Sequence, residues 1–181
     1  MAAIAILAAI VHREKTGEGQ YLDVAMHDGV ISWLSIHAGK YLLDKELPKR
    51  GEMHLSGRYA CYQVYSTKDG RHMSLGALEP KFWINFCEAI GRKDLIDKQF
   101  IEGEERLQVI KEIQDLFKTK TQKEWVDFFK NVDACCEPIL TLEEVCQHPH
   151  VLHRKMVMEY EHPVEGKIRQ VGNPIKSSQF P

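Results

Sequence analysis

The 181 residues carry 24 Lys and Arg against 26 Asp and Glu, a formal net charge of −2, and that balance argues against a nucleic-acid binder, which would carry a basic excess or stripe. Hydrophobic residues at 44% and charged residues at 28% exclude disorder by composition and allow one domain, or two small ones, with a core of its own. The longest apolar run, Met1 to Val11, is too short for a bilayer and lacks the basic region and cleavage site of a secretory signal. A soluble, non-membrane chain is expected, and five irregularly spaced cysteines fit a reducing cytosol.

The chain opens on an apolar helix that should run to about Lys15 and stop at Gly17, a residue suited to a left-handed C-cap. Ile4, Ile6, Leu7, Ile10 and Val11 leave it almost no polar face, and a helix hydrophobic all round is normally buried in a larger body. Gln20 to Met26 alternates with Leu22, Val24 and Met26 on one side and reads as a strand. Asp28 can cap a connecting helix from Gly29 to about Leu43. The Pro, Gly and charge of Leu47 to Glu52 mark a boundary, after which a new unit begins.

Tyr59 to Tyr65 and Arg71 to Ala77 read as two strands of a hairpin around Asp69-Gly70. Pro80 suits the first turn of a helix that ends near Gly91 and buries Phe82, Trp83, Phe86 and Ile90. A further helix between Glu102 and Lys118 carries a stripe of Leu107, Ile110, Ile113, Leu116 and Phe117. Thr121 with Glu124, and Thr141 with Glu144, have capping-box spacing. Met156 to Tyr160 and Lys167 to Val171 look like strands joined across Pro163 and Gly166.

Several groups have reactive chemistry. Cys146, His148, His150 and His153 are metal-ligand types, but no C-x-x-C accompanies them and Pro149 interrupts the helix, so imidazoles near helix-end carbonyls are expected and no metal. Cys135 and Cys136 are expected to be buried small apolar residues. The glycines of Thr16 to Gln20 lack phosphate-loop spacing and precede a strand. Glu79 follows an apolar strand and immediately precedes Pro80, where a carboxylate either caps the helix or faces a site. Tyr62 should point opposite to Tyr59 and Tyr65.

Three stretches, AAIAILAAIVHREKTGEGQYLDVAMHDG, LSGRYACYQVYSTKDGRHMSLGALEPKFW and DACCEPILTLEEVCQHPHV, together resemble the family III CoA-transferase and α-methylacyl-CoA racemase group, also called the CaiB/BaiF family. The SLGALEP segment is similar to the racemase branch, where transferases carry a glycine-rich loop. The resemblance covers the whole chain but about half of a family member. It implies an α/β family fold forming an interlocked homodimer, of which this chain is mainly an α+β small domain, residues 51–160, with residues 1–50 a remnant of the large domain and a linker helix and residues 161–181 a return segment toward the large domain.

The resemblance implies an acyl-CoA enzyme with coenzyme A thioesters as substrates and no covalently bound cofactor. Racemisation of a 2-methylacyl-CoA through α-proton removal and return is the leading expectation. CoA transfer between carboxylic acids, or a non-catalytic subunit pairing with a separate large domain, are the alternatives. By motif, Glu79 matches a supporting glutamate of the active site, Tyr62 a pocket tyrosine and Leu78 the pocket wall. The family's catalytic Asp and the racemase His-Asp pair fall before the Ala-rich helix, so this chain alone is expected to be inactive.

Overall fold

The computed structural model describes residues 1–179, and its contacts divide the chain into a first unit, Met1–Met53, and a second from His54 on. Among the described residues no helix is long and apolar enough to cross a membrane.

In the first unit α1 spans Ala2–Thr16 and ends where Gly17 turns left-handed at φ 78°, its N–H reaching the Arg13 carbonyl. None of its residues is buried: Ile4 is 73% and Leu7 62% exposed. The expected strand over Gln20 to Met26 is not formed. A strand needs a partner ladder to satisfy its backbone groups, and no described strand pairs with this segment. The connecting helix is two helices, α2 (Met26–Trp33) and α3 (Ser35–Asp44), separated where the Leu34 N–H closes onto the Ile31 carbonyl at 3.0 Å. Asp28 therefore lies in the first turn of α2, where its charge suits the helix dipole, rather than at the cap, which is Ala25.

The second unit contains the core. Strands β1 (Tyr62–Ser66), β2 (His72–Gly76) and β3 (Cys136–Pro138) form an antiparallel sheet in that order. The expected hairpin closes through Gly70 at φ 75°, with the Thr67 N–H on the Arg71 carbonyl at 2.8 Å. Pairing Tyr65 with Met73, and Leu75 with Cys136, puts all four on one face, where they are buried. Tyr62 pairs with Gly76, and Val64 with Ser74, on the other face.

Helices cover the inner face. α4 (Pro80–Ala89) starts on Pro80 and buries Trp83, Phe86 and Cys87. A 3-10 turn (Lys93–Lys98) follows, then α5 (Gly103–Phe117) and α6 (Gln122–Phe129). On α5 the inward stripe is Val109, Ile113 and Phe117, in steps of four that stack on one helix face. Leu107 falls off that stripe and is 58% exposed, contrary to the sequence expectation. Phe117 stacks on Tyr65 with ring centroids 5.0 Å apart and meets Trp125 at 5.0 Å. Both capping boxes form, at Thr121 and Thr141.

The hairpin loop is tied to later elements. Asp69 accepts the Gln122 N–H at the start of α6, and Arg71 pairs bidentately with Glu144 at 2.7 and 2.6 Å on α7 (Leu142–Gln147). α8 (Pro149–His153) begins anew at Pro149, so the His148 imidazole accepts the His150 N–H at a helix start instead of lying over terminal carbonyls. Strands β4 (Val157–His162) and β5 (Gly166–Val171) form a separate two-stranded hairpin. The last two residues, Phe180 and Pro181, of the expected return segment lie outside the described residues.

Candidate functional site

The outer face of the three-stranded sheet is not covered by helices of the core, and a cavity of about 430 Å³ opens there. Tyr62, Val64, Ser74 and Gly76 form its floor, Cys135 one side, and Leu55 to Gly57 another. Its lining is uncharged throughout.

Tyr62 is the first residue of β1, and strand alternation decides its direction. Tyr65, three positions on, faces the core, so Tyr62 faces the cavity, half-buried beside Gly76. A Cβ added at Gly76 would lie 4.0 Å from the Tyr62 ring and 3.8 Å from the Cys135 carbonyl, so glycine leaves this strand end close to both without being sterically required.

Beyond Gly76 the backbone turns sharply. The Gly76 N–H donates to the Cys135 carbonyl at 2.9 Å and the Ala77 N–H to Cys61 at 2.8 Å. The Leu78 N–H then folds back onto the Gly76 carbonyl at 3.0 Å. Leu78 is half-buried and packs against the core cluster. Glu79 is the exposed N-cap of α4; its carbonyl receives the Phe82 and Trp83 N–H groups, while its carboxylate makes no capping bond. Of the three residues singled out in the sequence, Tyr62 lines the cavity, whereas Leu78 and Glu79 stand on the adjoining turn and are not part of the lining.

Cys135 corrects a sequence expectation. Cys136, the first residue of β3, is buried at 6% exposure as expected, whereas Cys135 stands just outside the strand and is exposed. Its backbone is left-handed at φ 48°, unusual for a residue with a Cβ. Partial burial, then the charges of Asp133 and Glu79, push its thiol above the ordinary value. Vicinal cysteines alone do not reveal a left-handed turn immediately before a strand.

Gln99 is the other residue that sequence reasoning missed. It follows the 3-10 turn, and its side-chain amide donates to the Ala77 carbonyl at 3.0 Å and to the Leu78 carbonyl at 2.8 Å. No local pattern signals such a contact across 21 residues.

The fold is that of an α/β protein with solved neighbours among CaiB/BaiF proteins. A Mycobacterium tuberculosis structure superposes on 98% of this chain and 46% of its own with a TM-score of 0.74 at 22% identity. A CaiB/BaiF family protein from Brucella suis covers 97% and 46% with a TM-score of 0.67. The sequence matches CoA-transferase family III over residues 1–181, and the chain belongs to that family. It is 34% identical to human α-methylacyl-CoA racemase over 151 residues, 83% of this chain and 39% of the racemase. It is 30% identical to human succinyl-CoA:glutarate CoA-transferase over 182 aligned positions, 97% of this chain and 41% of the transferase. The chain thus spans less than half the length of either relative.

Proposed function

We propose that this chain supplies the small-domain wall of an acyl-CoA site in an enzyme of the α-methylacyl-CoA racemase type, which removes and returns the proton α to the thioester of a 2-methylacyl-CoA. The observation that carries the reading is the uncharged cavity floored by Tyr62, Val64, Ser74 and Gly76, which suits an acyl chain that carries no charge. A dicarboxylate acyl group would bring a charge that this wall leaves unpaired. Tyr62 packs against the acyl chain, Leu78 backs the adjoining wall, and the free carboxylate of Glu79 orients a water or tunes the acid/base group. In this reading the groups that move the α-proton lie outside the 181 residues.

Human succinyl-CoA:glutarate CoA-transferase aligns with nearly the whole chain, and CoA transfer is the second reading. There a carboxylate attacks the thioester and a flexible loop guards the anhydride; the Leu78-Glu79-Pro80 turn, held by hydrogen bonds, fits that role poorly. The test is deuterium incorporation at the α-carbon of a 2-methylacyl-CoA in D₂O, by an assembly containing this chain, run beside a succinyl-CoA to glutarate exchange assay. Deuterium uptake without exchange is expected; exchange without uptake overturns the racemase reading. Absence of both from every assembly containing the chain leaves it a non-catalytic subunit.

Residues 51–160 form the small domain, 1–50 and 161–181 belong with the large one, and the enzyme is a homodimer. Buried thiols at Cys61, Cys87 and Cys136 suit a reducing, cytoplasmic setting.

A further inference from the structure

We propose that Gln99 is a positioning residue that fixes the Ala77–Glu79 turn beside the cavity; the proposal rests on the role given to Glu79 above. When β2 ends at Gly76, the carbonyls of Ala77 and Leu78 lose their ladder partners and need donors. Successive carbonyls of an extended chain point to opposite sides, so one nitrogen cannot ordinarily reach two in a row. Here it does, because the Leu78 N–H has closed onto the Gly76 carbonyl in a three-residue turn that brings both acceptors to the Gln99 amide.

Gln99 is itself held. The Trp83 indole N–H donates to the Leu95 and Ile96 carbonyls at 3.0 and 3.1 Å, fastening the 3-10 turn to α4. The Cys61 thiol lies 3.6 Å from the Gln99 carbonyl, on the strand side. Since α4 begins one residue after Glu79, the contacts close a circuit: Glu79 leads into α4, Trp83 grips the 3-10 turn, and Gln99 returns to the carbonyls just before Glu79. The backbone that carries the Glu79 carboxylate is therefore set from both sides, while the carboxylate itself makes no capping bond.

The test uses Gln99→Leu, which keeps the bulk and removes the donors. Amide exchange on the 181-residue chain should speed up about tenfold at Leu78 and Phe82, with the Tyr65 and Met73 amides unchanged. No local change, or a uniform one, overturns the proposal. In an assembly that turns over a 2-methylacyl-CoA, kcat should fall about 10- to 100-fold at nearly constant KM, and adding Gln99→Leu to Glu79→Gln should cost nothing beyond Glu79→Gln alone. Additive losses overturn the link to Glu79. If Glu79→Gln leaves turnover intact, the role of Glu79 falls, while the exchange data still decide whether Gln99 holds the turn. Should Gln99→Leu fail to fold, Gln99→Asn, with its amide on a shorter stem, enters the same comparisons.

Discussion

At the scale of single residues, Cys135 is the most informative. Burial raises its thiol first, and the neighbouring carboxylates of Asp133 and Glu79 raise it further, with Lys81 opposing. Alkylation requires the thiolate, so its rate against pH should inflect above the value of a free cysteine, and Asp133→Asn should move the inflection down; peptide mass spectrometry of iodoacetamide adducts measures both. An inflection at the free-cysteine value would contradict the assigned surroundings. Tyr62→Ala removes the ring from the cavity floor, so on the racemase reading proposed above the kcat/KM of an assembly containing this chain for a 2-methylacyl-CoA should fall about tenfold. The burial of Cys136 was expected and the exposure of Cys135 was not, because CC carries no period, whereas the opposed directions of Tyr62 and Tyr65 follow from strand alternation alone.

At the scale of elements, capping and aromatic packing were legible because their signals are local. Thr121 with Glu124, and Thr141 with Glu144, form as spaced, and Thr121→Ala should cost about 1 kcal/mol in urea unfolding. Phe117 joins α5 to Tyr65, Phe86, Trp125 and Phe129 in one aromatic cluster, so Phe117→Ala should cost about 3–5 kcal/mol, read as a lower denaturant midpoint. What was not legible depended on partners remote in sequence. Gln20 to Met26 has strand alternation and no ladder to join, and β3 is too short and Pro-ended to announce itself, its Pro138 tolerated on the edge of the sheet. The Arg71–Glu144 pair joins the hairpin to α7, and the guanidinium, with the Thr141 N–H, lowers the Glu144 carboxyl from 4.5 to about 2. A carboxyl lowered in the fold stabilises above its unfolded value and loses that contribution as pH falls. Stability should therefore decline from about pH 4.5 toward 2, and Glu144→Gln should flatten that part of the curve in acid unfolding followed by circular dichroism.

At the scale of the whole molecule, the two units differ in kind. The second holds every member of the buried core, from Ala60 to Cys136. The first buries nothing in its helices: Trp33 is 83%, Ile36 74% and Leu43 84% exposed. Apolar surface of that extent marks an interaction face, so the 181-residue chain should run above its monomer mass in light scattering. Ile4→Lys with Leu7→Lys should shift it toward the monomer, and a monomeric unsubstituted chain would count against self-association through this face. The sequence already pointed to this in the apolar run from Met1 to Val11; which molecule supplies the cover is written in no local pattern.

The indole of Trp83 is the feature with the longest reach. Its N–H on the Leu95 and Ile96 carbonyls makes a buried chromophore one link in the circuit that ends at Glu79. With Trp33 and Trp125 replaced by phenylalanine, its emission becomes an optical reporter of the cavity's edge. Ligand arrival that strains or relaxes that edge would be visible as a change of colour and lifetime, in a chain that need not turn anything over.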